Sequence, residues 1–131
     1  MVEVFLEYSK EKIMNSKLPL LRHVVLFKFR DSSTEDEVAH VVSSFMSLKS
    51  QVPQIVALEG GGNISEENHH QGFTYCFVIS YRSIQDLNDY QKHPAHLDFQ
   101  QILSPHMEKV FLVDYFPRLN LSYLWLVELL P

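Results

Sequence analysis

An α+β fold with elements in the order β-α-β-β-α-β is what this sequence predicts, and three observations predict it. Short runs rich in β-branched and aromatic residues, bounded by polar or glycine-containing segments, read as four strands. Two longer stretches between them place apolar residues at helical spacing. Each of those stretches opens on a Ser or Thr with an acidic residue three positions later, a helix-start signal.

The first strand is HVVLFKF, with His23, Val25, Phe27 and Phe29 on one face and Val24, Leu26 and Lys28 on the other. In DSSTEDEVAHVVSSFMSLKSQVP the period changes, and Val38, Val41, Val42, Phe45 and Leu48 fall on one helical stripe. Thr34 and Glu37 form a candidate capping box, and Pro53 ends the segment. IVALEGGG is a short second strand running into Gly60, Gly61 and Gly62. These read as a flexible strand end or bulge, because no GK[ST] and no clear helix start follow to make a phosphate loop. FTYCFVISY alternates Phe73, Tyr75, Phe77, Ile79 and Tyr81 against Thr74, Cys76, Val78 and Ser80, the clearest strand in the chain. Ser83 then starts a second helix with Ile84, Leu87 and Tyr90 on its apolar face. Pro94 disfavours helical geometry at His93 and suits a first turn, so the helix breaks there and restarts with Leu97, Phe99, Ile102 and Leu103. In this reading Pro105 and Met107 belong to the end of that last helix, and KVFLVDYF is the fourth strand. The order is the ferredoxin-like split arrangement, a four-stranded antiparallel sheet with helices on one face. Its other face would expose apolar side chains from several strands, which predicts a homodimer paired through the sheet.

A chain of 131 residues accommodates one domain with a substantial core. Sixteen acidic against eleven basic residues give a net charge of −5, without a Lys/Arg run, so neither nucleic acid nor an anionic membrane surface is an expected partner. The lone Cys76 permits no internal disulfide and fits a reducing, cytoplasmic setting; its place in an alternating strand predicts a buried, inert thiol rather than a nucleophile. Glu3 and Glu7 interrupt the apolar N-terminus and argue against a secretory signal. The terminal LNLSYLWLVELLP is shorter than the roughly 20 residues a membrane span needs. Residues 1–20 and 118–131 therefore read as extensions to a domain at 21–117, the C-terminal one apolar enough to dock onto that domain or a partner.

The stretch DYQKHPAHLDF concentrates chemistry: Tyr90, His93 and His96 lie around the Pro94 break. His93 has a structural explanation as a cap on the broken helix. A metal site is not expected, because the chain has one cysteine, lacks an H-E-x-x-H helix, and Pro94 twists the two histidines apart.

LRHVVLFKFRD, HHQGFTYCF, DYQKHPAHLDF and EKVFLVDYFP together resemble the stress-responsive A/B barrel (Dabb) family, over about residues 21–117. Within it the chain is most similar to plant heat-stable proteins and polyketide cyclases. That resemblance implies a dimeric α+β barrel. It implies cofactor-independent intramolecular aldol cyclisation of a linear poly-β-keto thioester, supplied by a type III polyketide synthase of plant specialised metabolism. It places the family's acting residues at His96, Tyr90 and His23. An imidazole near neutrality can take a proton from an activated methylene, a phenol can stabilise the charge formed on the attacked carbonyl, and His23 can orient His96 or touch substrate. Phe27, Phe45, Phe99 and Met107 are the expected substrate-binding wall. Where those cyclases carry a tyrosine on the first helix and a tryptophan on the last, this chain has Phe45 and Met107, which changes the pocket's shape and polarity. The rival reading is a non-catalytic protective or small-molecule-binding dimer. Monooxygenases on the same barrel are a third reading, resting on fold alone.

Overall fold

The computed structural model describes residues 2–4, 6–7 and 19–118, and Leu21–Tyr115 forms one compact unit. The expectation for the apolar C-terminal extension falls on residues outside the described ones, apart from its first residue.

Within the compact unit the elements are β1 (Leu21–Phe29), α1 (Glu35–Met46), α2 (Leu48–Gln51), β2 (Ala57–Gly62), β3 (Tyr75–Tyr81), α3 (Ile84–Lys92), α4 (Pro94–Leu103) and β4 (Met107–Tyr115). The strands form one antiparallel sheet in the order β2-β3-β1-β4. The fold is the α+β, ferredoxin-like one that the pattern of periods implies.

The helix starts follow the sequence closely. Thr34 accepts from the Glu37 amide while the Glu37 carboxylate accepts from the Thr34 amide, a complete capping box. These bonds, first the one to the Thr34 backbone, hold the Glu37 carboxyl below its ordinary pKa. Ser83 caps α3 through the Asp86 amide. The chain is extended at His93, where α3 stops and α4 begins with Pro94 in its first turn. The His93 ring accepts from the Ala95 amide, so this imidazole is a cap.

β1 alternates between fully and partly buried residues along its length, with Leu21, His23, Val25, Phe27 and Phe29 facing the helices. Phe27 and Phe77 from the sheet meet Phe45 from α1 and Phe99 from α4 in an aromatic core, with ring centroids 4.5 Å apart for Phe45–Phe77 and 5.0 Å for Phe45–Phe99. Aromatic rings bury the largest area per residue, so this cluster locks α1 and α4 onto the sheet.

Four expectations need correcting. The glycines are neither a loose strand end nor a bulge: Gly60 to Gly62 pair in register with Phe77 to Tyr75, and the register irregularity lies instead at Lys28/Phe29. A Cβ on Gly60 would run into the Phe77 ring and lie 2.5 Å from the Cys76 carbonyl oxygen, so glycine is what lets the ring close over the strand. Ile84 and Leu97 are 57% and 48% exposed; Leu97 lies two residues from both Ala95 and Phe99, on the opposite side of α4 from those core-facing residues, and Ile84 opens α3. α4 ends at Leu103, with Ser104 as its cap, so Pro105 lies in a turn and Met107 opens β4. Cys76 is exposed in the single chain. Strand alternation correctly sets it opposite Phe77, but helices cover only the Phe77 side.

Candidate active site

Two strand positions and one helix break bring the chemistry together. The β1–β4 register sets His23 opposite Asp114, and the His23 Nδ1 meets the Asp114 carboxylate. His23 is buried while the Asp114 side chain is 42% exposed, so the carboxylate reaches the ring from the open edge. α3 carries Tyr90 into the core, and restarting the helix at Pro94 turns His96 back onto it, with ring centroids 4.4 Å apart. The His23 ring centroid lies 6.3 Å from that of Tyr90.

These three side chains line a cavity of about 440 Å³ between the helices and the sheet. Phe27, Phe45, Phe99 and Met107, the four residues expected to form an apolar wall, also line it without filling it. Val110 and Leu112 complete the wall on β4, where Leu112 is 52% exposed, and Gln91, Gln100 and Ser104 supply its remaining polar groups. A few convergent polar groups in a mostly apolar hollow of this size are the usual anatomy of a small-molecule site.

Hydrogen bonding assigns roles to the rings. His96 Nδ1 lies 3.1 Å from the Gln91 carbonyl oxygen, which can only accept, so Nδ1 carries the proton and Nε2 keeps its lone pair. Burial, aided by the neighbouring His23 and opposed by the Gln91 bond, holds the His96 pKa below the ordinary imidazole value. A neutral imidazole with a free Nε2 is a proton acceptor. Tyr90 is pushed the other way: burial raises its pKa, so it stays a phenol and a donor at neutral pH.

The depressed His96 pKa has a consequence for folding. Below the unfolded-state value of about 6.5 the unfolded chain binds this proton more readily than the folded one, so stability falls as pH drops through that window; above it the cost is absent. Chemical denaturation of parent and His96→Gln between about pH 5 and 8 should show a smaller acid-side loss in the variant. Parallel curves would contradict this assignment of the burial cost.

Sequence reasoning missed Asp114, Gln91, Gln100, Ser104, Val110 and Leu112. Asp114 alone had a signal, as the one charged residue after the apolar run Val110–Val113; the others required the β4 register and the helix break. His69 and His70 lie in the loop between β2 and β3 and do not line the cavity. Among the described residues, no three His, Cys, Asp or Glu side chains gather as a metal would require.

Comparison with known proteins bears on the family and the fold. The stress-responsive HS1 protein of Arabidopsis thaliana is 30% identical over 97 residues, 74% of this chain and 89% of that protein. Olivetolic acid cyclase of Cannabis sativa is 26% identical over 98 residues, 75% of this chain and 97% of that protein. Hydroxynitrile lyase from Passiflora edulis has the same fold, with a TM-score of 0.71 at 19% identity over 76% of this chain and 94% of the lyase. The sequence pattern of the Stress responsive A/B Barrel Domain matches residues 21–117, and the chain belongs to that family.

Proposed function

We propose that the cavity performs cofactor-independent proton-transfer chemistry on a carbonyl substrate, as a cyclase closing a linear poly-β-keto thioester by intramolecular aldol addition. The observation that carries this reading is the convergence of His96, Tyr90 and His23 on one mostly apolar hollow. His96 Nε2 takes a proton from the methylene between two carbonyls. The resulting carbanion forms a carbon–carbon bond to a distal ketone carbon, and the electron pair of that C=O moves to its oxygen. Tyr90 holds this oxygen by a hydrogen bond, and the proton taken up by His96 returns to it as the new hydroxyl. His23, tethered to Asp114, keeps the far wall polar and orients the chain. The apolar wall of Phe27, Phe45, Phe99 and Met107 folds the polyketide, and holding it in a reactive pose contributes several kcal/mol. The relationship to a cyclase at 26% identity supports this chemistry.

In this reading the catalytic domain is residues 21–117, flanked by the extensions, and works in the cytoplasm beside a type III polyketide synthase. The purified chain added to such a synthase with acyl-CoA starters should divert product from pyrone lactones to carbocyclic aldol products. Lactones still dominant at all ratios would sink the cyclase and favour the non-catalytic dimer.

A second copy of the chain covers the outer sheet face. Register sets Val24 beside Val78 and Val113, and Leu26 beside Cys76 and Phe111, with Phe111 51% exposed. Such an apolar patch is costly in water. Sedimentation should give a dimer for the parent and a monomer for Phe111→Glu. A monomeric parent would remove the dimer.

A further inference from the structure

Tyr81, at the end of β3, is fully buried one layer behind the cavity, and its hydroxyl interacts with that of Tyr90 without reaching ordinary hydrogen-bond geometry. A buried hydroxyl without a well-formed hydrogen bond is destabilising, and phenylalanine would fill the same space without that cost. The surroundings of this group are the polar half of the candidate site. Its ring centroid lies 5.4 Å from that of Tyr90 and 6.3 Å from that of His23. The hydroxyl is also within electrostatic reach of the Tyr90 hydroxyl and the Asp114 carboxylate.

We propose that Tyr81 is a positioning residue that donates its hydroxyl proton to the Tyr90 oxygen when the cavity is occupied, so that the Tyr90 proton is directed onto the ligand's carbonyl oxygen. A phenol oxygen that accepts one hydrogen bond becomes a better donor in the next, and the low dielectric behind the cavity strengthens both links. With its lone pair engaged from behind, Tyr90 has one direction left for its own O–H, toward the hollow. The strip from Asp114 through His23, Tyr81 and Tyr90 to His96 then forms one polar seam through an apolar core. Burial raises the Tyr81 pKa and keeps the proton on the group that must donate it. In the free state the two hydroxyls already interact, in a contact looser than an ordinary hydrogen bond, which fits one that tightens with ligand. This inference rests on the carbonyl-binding reading of the cavity.

The test compares the full chain with its Tyr81→Phe variant by calorimetric titration with olivetolic acid, by thermal unfolding, and by NMR of the Tyr90 Cζ carbon in tyrosine-labelled protein. The variant is expected to unfold at the same or a higher temperature. It should bind the probe roughly fivefold to tenfold more weakly, the worth of one hydrogen bond, and show a displaced Tyr90 Cζ resonance. Equal binding by parent and variant overturns the proposal. So does a fall in unfolding temperature with an unmoved Tyr90 signal, because Tyr81 would then serve packing alone. If the parent itself does not bind the probe, the carbonyl-site reading fails. Tyr81 is then judged by the Tyr90 resonance, which supports its coupling to Tyr90 if displaced and overturns it if not.

Discussion

Replacing His96 with alanine is expected to lower cyclised product by roughly a hundredfold or more, the usual worth of a positioned general base. Burial holds Tyr90 as a phenol, so it cannot replace the lost base, while His23, tethered through Nδ1 to Asp114, is the other imidazole lining the cavity and accounts for any residual activity. Folding should change little. His96 is only half-buried and contributes one hydrogen bond, to the Gln91 carbonyl, so its removal should cost about 1 kcal/mol. The measurement is product distribution in a coupled reaction with a type III polyketide synthase, with unfolding followed on the same preparations. The pH profile of the parent sharpens it. Activity requires neutral His96, so it should rise with pH through a midpoint below the ordinary imidazole value of about 6.5 and then level off. A His96→Ala variant with parental product ratios would refute the assigned base.

The largest expected effect on stability comes from a residue with no side chain. Gly60→Ala should destabilise the domain by about 3 kcal/mol or more, at the upper end for overpacking. The added methyl would meet the Phe77 ring, the Cys76 carbonyl oxygen and, at 2.9 Å, the Phe77 Cα, and the last two are backbone atoms that move only with the strand. Gly61→Ala is the matched control. Nothing lies within 4 Å of a Cβ there, so this neighbouring change should be close to neutral. Denaturant midpoints of the two variants compare the effects directly. Similar midpoints would mean that the Phe77 ring does not close over Gly60 in solution.

The two glycines illustrate where sequence reasoning stops. Their lack of a phosphate-loop context is legible in the letters. Which glycine carries a ring across it is not, because that depends on β2 pairing with β3 in a register that a one-residue slip would reverse. Cys76 makes the same point: alternation places it opposite Phe77, but whether that face is covered is decided by where the helices pack. Pro105 reads from the sequence as part of the last helix, yet the helix stops before it, at Leu103, and the chain turns there to deliver Met107 into β4.

For the site, the division follows the range of the interactions. Local physics written in consecutive residues determined the order of strands and helices, the capping box at Thr34 and Glu37, and the break at Pro94 with His93 as its cap. The residue types at positions 23, 90 and 96, which carry the family resemblance, were equally readable. Tertiary structure alone decided that Asp114 meets His23, that the Gln91 carbonyl orients the His96 ring, and that the Tyr81 hydroxyl lies buried behind Tyr90. Those contacts join groups whose positions depend on strand register and on the angle between two helix segments. Such quantities are set by the packing of the whole core, and no short stretch of sequence contains them.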